Sequence, residues 1–497
     1  MIAAVFGFST ARAAQTYLPT TLTPAQVFAK AAAAQGHLKA GSYHRVYQKT
    51  RGSTVISIDL YESGDDYVET DREGDYRWSE GSYGGKQWRQ DENGVVTHVS
   101  GFTETADPFI AALAHPQTND SSMRVLGITT TQPTCVVVQV TPQDGLLQQR
   151  YYDAKTFLLR RVVTSDYQGE PWTRDYGDYR TQYGLTFPQT IGYQDEHPEN
   201  TSVTRLTKFE TVAPASVHAA PPQTRPLFTF SGTAPVAVPA QFTSQGIIVR
   251  VTIEGRGLDF KLDSGASDIV LDAEVARQLG LTISDVHKGS FSGDYSAGRS
   301  RAPDFSVGSL HAQNVAITTI PFSQMIGPTK VVGLLGGDFF ASERVAVIFQ
   351  NETLAVSPAS NEAPPGTWSK QSIAVDDFVP RLHAKFNAID GAFIVDLGAD
   401  FTLLYPHFFR QFKPTSQADV MGKMRGIAGK GVDYRRYTFS RLDLGDLSFA
   451  DVGADVTTGT KFEDLDFDGL LGRNILDHFN LVFDYPDGEL YIQNPAP

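Results

Sequence analysis

The sequence predicts a mainly β protein: two pseudo-symmetric β-barrel lobes preceded by an antiparallel β domain that can curve into a half-barrel. Three observations lead there. Short strand-like runs, punctuated by Gly, Asn and Asp, fill residues 40–212. A stretch with six prolines, 213–240, follows them. From Gln241 onward the chain says the same thing twice, most plainly where an apolar run delivers an aspartate into a glycine turn.

Residues 1–14 have the form of a secretory-signal remnant. Ile2 to Phe8 is apolar, and Ala11-Arg12-Ala13 before Ala14 offers a small-residue cleavage site, although the basic n-region is missing. The expectation is a periplasmic or secreted protein, with an ordinary N-terminal tail as the alternative. No stretch reaches the roughly 18 apolar residues that span a bilayer, so no transmembrane segment is expected. A formal charge of −14 argues against nucleic acid or an anionic membrane surface as the main partner.

The N-terminal β domain is expected over 15–212. It opens with an alanine-rich helix, Pro24 to Gln35, and continues in strands such as Ser42–Lys49, Thr54–Glu62, Asp66–Asp71, Val136–Thr141 and Leu158–Ser165. Turns are marked by Ser63-Gly64-Asp65, Glu73-Gly74-Asp75, Gly84-Gly85 and Asn93-Gly94. A short helix is expected at Asp107 to Leu113. Cys135, the single cysteine, sits in a strand-like run and reads as an inert structural thiol. The eleven histidines are scattered with no ligand-like spacing, so neither a metal nor another cofactor is expected.

Residues 213–240 read as a Pro-rich linker. Beyond it lie lobe 1 (241–360), a connector (361–379) and lobe 2 (380–497). Phe260-Lys261-Leu262-Asp263-Ser264-Gly265-Ala266-Ser267 is echoed 133 positions later (396 − 263) by Phe393-Ile394-Val395-Asp396-Leu397-Gly398-Ala399-Asp400. Gly333-Leu334-Leu335-Gly336 is echoed by Gly469-Leu470-Leu471-Gly472, and closing hairpins at 345–357 and 479–493 complete the match. A carboxylate at the end of a buried strand is expensive unless something uses it. Two such carboxylates in register suggest a pair, Asp263 and Asp396, meeting across an internal pseudo-dyad.

Asp-Ser-Gly-Ala followed some 70 residues on by Gly-Leu-Leu-Gly resembles the pepsin/retropepsin aspartic proteases, over both lobes. The resemblance implies two retropepsin-like lobes and a catalytic dyad of Asp263 and Asp396, with Ser264, Gly265, Leu397 and Gly398 supporting the loops. It also implies a structural ion pair, Arg473 with Asp400, whose lobe 1 counterparts are Gly337 and Ser267. Glycine-bearing hairpins at 288–299 (Gly293, Tyr295) and 422–434 (Gly426, Gly429) are flap candidates, with plain surface hairpins the alternative.

Tyr179 to Ile191 and Tyr76 to Gly94 resemble runs in periplasmic lipoprotein-carrier-like sheets. That implies a lipid or apolar ligand at the N-terminal domain, against which stands a structural or inhibitory prodomain.

Two carboxylates about 3 Å apart hold one proton between them. The ionised one can take a proton from water while the protonated one polarises a peptide carbonyl. The expected activity is therefore an aspartic endopeptidase acting on a peptide or protein substrate. One departure weakens it: the family places Ser or Thr just after each Asp, and Leu397 has no hydroxyl. The alternative is a non-catalytic envelope protein that binds peptide or lipid through a degenerate protease-like module.

Overall fold

The computed structural model describes residues 16–494 except 40, 100–122, 141–146, 166–170, 291–293, 324–329, 361, 377, 413–419, 426–430 and 458–466. The proposed signal remnant and the helix expected at Asp107 to Leu113 lie outside the described residues. The chain is mainly β, with a large N-terminal sheet and two C-terminal sheets of matching topology. It divides into two compact units: residues 1–41, 47–55 and 104–209, and residues 42–46, 56–103 and 210–497.

In the first unit an antiparallel run joins Arg124–Thr129, Cys135–Val140, Gln148–Asp153, Leu159–Ser165, Pro171–Gly177 and Thr190–Gln194. The helix Pro24–Gln35 forms as the sequence predicts. Thr23 caps it: the Gln26 amide donates to Thr23 Oγ1 at 3.3 Å, and the Thr23 amide donates to Gln26 Oε1 at 2.9 Å. Its apolar stripe, Val27, Phe28 and Ala31, shares a core with Val136, Val138, Tyr152, Leu159 and Val162 of the sheet. Cys135 is buried, and burial pushes its thiol up to about 11, which suits an inert side chain.

The second unit begins with a meander. Residues 57–63 pair with 66–72, and Asp66–Glu73, Tyr76–Tyr83, Lys86–Gln90 and Val96–Val99 follow in antiparallel order. The proline-rich stretch expected to be a linker is held in this unit. Trp88 Nε1 donates to the Ala219 carbonyl at 2.7 Å, and the Arg225 amide donates to the Gly94 carbonyl at 2.9 Å. Phe228 is buried against Phe305 and Phe339. The prolines deny this segment many amide donors, yet its remaining N–H groups and its aromatic anchor bind it to distant residues.

The two lobes have the same topology. In lobe 1 the described sheet runs Ala240–Thr243, Gly246–Ile253, Arg256–Leu262, Val331–Leu335, Val270–Asp272, Leu310–Ile320, Asp294–Val307, Ser284–Ser290. Lobe 2 repeats that order with Ala374–Asp376, Val379–Phe386, Ile389–Val395, Gly469–Leu471, Leu403–Leu404, Leu447–Thr457, Gly431–Leu444, Val420–Arg425. Each Gly-Leu-Leu strand lies parallel to the strand that ends in the aspartate, pairing Leu262 with Leu335 and Val395 with Leu471. A further sheet is shared: Glu343–Ile348 of lobe 1 pairs antiparallel with Asn480–Asp484 of lobe 2, flanked by their hairpin partners Thr353–Pro358 and Glu489–Gln493. Phe339, Phe340, Phe483 and Tyr485 bury between these elements as one aromatic cluster.

Candidate active site

The strands Arg256–Leu262 and Ile389–Val395 alternate between faces, with residues 258, 260 and 262 buried in one and 391, 393 and 395 in the other. Each strand then releases its aspartate into a turn. The Asp263 amide donates to the Leu335 carbonyl and the Asp396 amide to the Leu471 carbonyl, both at 3.0 Å. Identical anchors 133 residues apart bring the two carboxyl groups close enough for each to perturb the other's titration.

Glycine two positions after each aspartate is what permits this approach. A Cβ added at Gly265 would lie 2.6 and 2.7 Å from the Asp396 carboxyl oxygens, and one added at Gly398 would collide with the Asp263 carboxyl. Each lobe's glycine therefore seats the other lobe's acid. Backbone donors orient the carboxylates: Gly265 N–H gives a 3.1 Å bond to Asp263 Oδ1, while Gly398 and Ala399 N–H give bonds of 2.7 and 3.1 Å to Asp396 Oδ1.

Crowding by protein raises both acids. Burial lifts Asp263 above the ordinary carboxylate range, with the Lys261 charge and the Gly265 amide pulling it back. Burial and the Asp263 charge push Asp396 up to about 8, with its amide donors and Lys261 opposing them. The two acids titrate as a unit, so no separate roles attach to them. Both residues keep some solvent exposure despite the protein packed around their carboxyls.

Ser264 ties the loops together. Its hydroxyl donates to the Val395 carbonyl at 2.7 Å and accepts from the Leu397 amide at 3.0 Å. Leu397 is fully buried in the main core, so the position lacking a hydroxyl is filled with packing. Sequence reasoning passed over a third bond. Lys261, two residues before Asp263, donates from Nζ to the Gly398 carbonyl at 2.7 Å. A cation interrupting an otherwise apolar run, where the echo has Ile394, was the signal for it.

The loop after each Gly-Leu-Leu-Gly motif closes on the aspartate loop in matching fashion. Gly337 and Asp338 amides donate to the Ala266 and Ser267 carbonyls, as Arg473 and Asn474 amides do to Ala399 and Asp400. Arg473 lies 4.0 Å from Asp400, the outer edge of an ion pair, and Asp400 is 58% exposed. Its short bonds run to Asp477 (3.0 and 2.7 Å) and to the Thr243 carbonyl (2.8 Å). The guanidinium thus fastens the helical turn Arg473–Leu476 and the first hairpin of lobe 1 far more than it holds Asp400.

Both flap candidates are hairpins at their bases. Gly289 pairs with Tyr295 in one, and Arg425 with Gly431 in the other. Gly293, Gly426 and Gly429 lie outside the described residues. Tyr295 packs against a cluster of Val270, Ala297, Ile320, Phe322 and Leu334 that also meets Ala266, three residues past Asp263. Among the described residues, no group of His, Cys, Asp and Glu is arranged to hold a metal ion, and no helix is long and apolar enough to cross a membrane.

Residues 249–339 and 382–475 match the aspartyl protease family, one match per lobe. No curated relative matches the chain. Similar solved structures include a LolA superfamily protein from Nitrosomonas europaea, 10% identical over 39% of this chain and 94% of that one, with a TM-score of 0.31. A DUF1329 family protein from Desulfovibrio piger is 16% identical over 40% of this chain and 98% of that one, with a TM-score of 0.30. Those likenesses are too slight to bear on function. The family match falls on the paired lobes and on both aspartate loops: residues 249–475 carry a two-fold aspartyl-protease-like module.

Proposed function

We propose that the protein is an aspartic endopeptidase whose dyad is Asp263 and Asp396. The observation that carries this reading is the reciprocal seating of the two carboxyls, each lodged against the other lobe's glycine. In the chemistry this arrangement supports, the ionised carboxyl removes a proton from a water molecule as its oxygen attacks the peptide carbonyl carbon. The protonated carboxyl gives its proton to the carbonyl oxygen, yielding a tetrahedral diol. Collapse of the diol returns a proton to the departing amine and regenerates the singly protonated pair.

Because the shared proton is retained up to about pH 8, cleavage is expected to persist at neutral pH and to fall above that value. The hairpins at 288–299 and 422–434 are the proposed flaps over a bound peptide. The missing hydroxyl at Leu397 does not undo the reading, since the Leu397 amide is satisfied by Ser264 and its side chain by the core.

The test is cleavage of a peptide library between pH 4 and 9 by the intact protein, Asp263→Asn and Asp396→Asn. Each variant is expected to lose roughly 10²–10⁴-fold in activity. A wild type that cleaves nothing across that range would return the protein to the non-enzymatic alternative, a binder of peptide or apolar ligand. An apolar ligand on the N-terminal sheet would have to compete with the helix Pro24–Gln35, whose Val27, Phe28 and Ala31 already pack there.

A further inference from the structure

The bonds between the two aspartate loops are one-sided. Ser264 reaches from lobe 1 to Val395 and Leu397, and Lys261 reaches from lobe 1 to Gly398. Their pseudo-symmetric counterparts, Leu397 and Ile394, are apolar: the first is core, and the second packs with Leu403, Tyr405, Phe467 and Leu470. Among the described residues, neither of those lobe 2 side chains returns a polar contact to lobe 1.

Lys261 is also built into its place. Its strand alternation puts it on the face from which Asp263 projects, opposite the buried Leu258, Phe260 and Leu262. Its stem crosses Gly246, whose backbone has φ +131°; a Cβ there would lie 2.5 Å from Lys261 Cε and 3.2 Å from Cδ and Cγ. Only glycine leaves that channel open. The ammonium ends on the carbonyl of Gly398, the residue that seats the Asp263 carboxyl.

We infer that Lys261 is a positioning residue for the dyad, an ammonium clasp that holds the second aspartate loop in place of the hydroxyl that Leu397 cannot supply. This rests on Asp263 and Asp396 being the working pair. Two consequences separate it from an ordinary structural lysine. It fixes the Gly398 peptide, and through that the distance between the carboxyls. It also sets a positive charge beside them, which opposes their upward shift and favours the singly ionised state that the chemistry requires. Among the described residues Tyr485 also senses the pair: its buried phenol is raised well above the ordinary range by burial and by both carboxyl charges.

The experiment is ¹³C-carboxyl NMR titration of the pair, together with the pH profile of kcat, in wild type, Lys261→Gln, Lys261→Met and Lys261→Arg. Removing the charge (Gln, Met) should move the titration of the pair upward by on the order of one pH unit or more, and Arg should leave it near wild type. Gln retains a donor and serves where Met fails to fold. Unchanged titration in both Gln and Met, even with a lowered Tm, overturns the proposal and leaves Lys261 as packing. The titration reads the pair whether or not peptide is cleaved. Loss of activity in none of the aspartate variants would therefore sink the proteolytic reading separately, without touching the measurement on Lys261.

Discussion

Asp338 in lobe 1 occupies the place that Asn474 holds in lobe 2. Asp338 Oδ2 accepts from the Ile269 amide at 3.1 Å, and Asn474 Oδ1 accepts from the Thr402 amide at 2.6 Å. The asparagine then uses its amide nitrogen to donate to the Gly453 carbonyl at 2.9 Å. Asp338 has a donor to offer only if protonated, and the group beside it is the carboxyl of Asp91 from the N-terminal meander.

Burial and the charges of Asp91 and Asp268 raise Asp338 well above its ordinary range, and burial raises Asp91 to about 7. An acid whose folded-state value lies above its unfolded value makes the fold lose stability as pH climbs from about 4 through the folded value. Asp338→Asn removes that liability while keeping the shape. The variant should match or modestly exceed wild type at pH 5 and exceed it by a wider margin at pH 8. Melting curves at the two pH values decide it; an equal gap at both would refute the shared-proton arrangement.

Ser264→Ala deletes one hydroxyl but strands two groups, the Val395 carbonyl and the Leu397 amide. Leaving buried partners unsatisfied costs about 1–3 kcal/mol, and the loss should show in urea unfolding. Activity should fall more steeply than stability, because the same bond sets the spacing of the loops. A variant as stable and active as wild type would show that the hydroxyl is dispensable.

Gly398→Ala introduces a methyl where the Asp263 carboxyl sits. The loops must part to admit it, so turnover should drop by at least an order of magnitude while the circular dichroism spectrum keeps its β signature. Retained turnover would mean that the carboxyls do not need their present separation.

Arg473 makes a finer contrast possible. Asp477 receives its short bonds, whereas Asp400 is exposed and 4.0 Å away. Asp477→Asn is expected to cost about 1–3 kcal/mol through a nearly buried guanidinium, and Asp400→Asn about 0.5 kcal/mol or less. The reverse order in chemical denaturation would restore Asp400 as the principal partner.

The duplication was legible because its signal is sequential: two aspartates and two Gly-Leu-Leu-Gly motifs in register need no knowledge of packing. The family resemblance points to Asp400, which lies 4.0 Å from Arg473, but it carries no sign of the closer partner Asp477 one helical turn away, where i and i+4 side chains meet. Leu397 looked like a defect because a missing hydroxyl is visible in a sequence, whereas the core that receives a leucine is not. The hold on residues 213–240 was equally hidden. Six prolines suggest an extended linker, and its bonds to Trp88, Gly94 and Glu343 span more than a hundred positions.

The shared sheet carries a consequence for synthesis. Strand Glu343–Ile348 pairs on one side with Thr353–Pro358 of its own lobe and on the other with Asn480–Asp484, so before lobe 2 is made that second edge lies open. A chain cut short before residue 480 lacks the strand that joins the two lobes in this sheet, and the bonds of Ser264 and Lys261 would be left to hold the aspartate loops together.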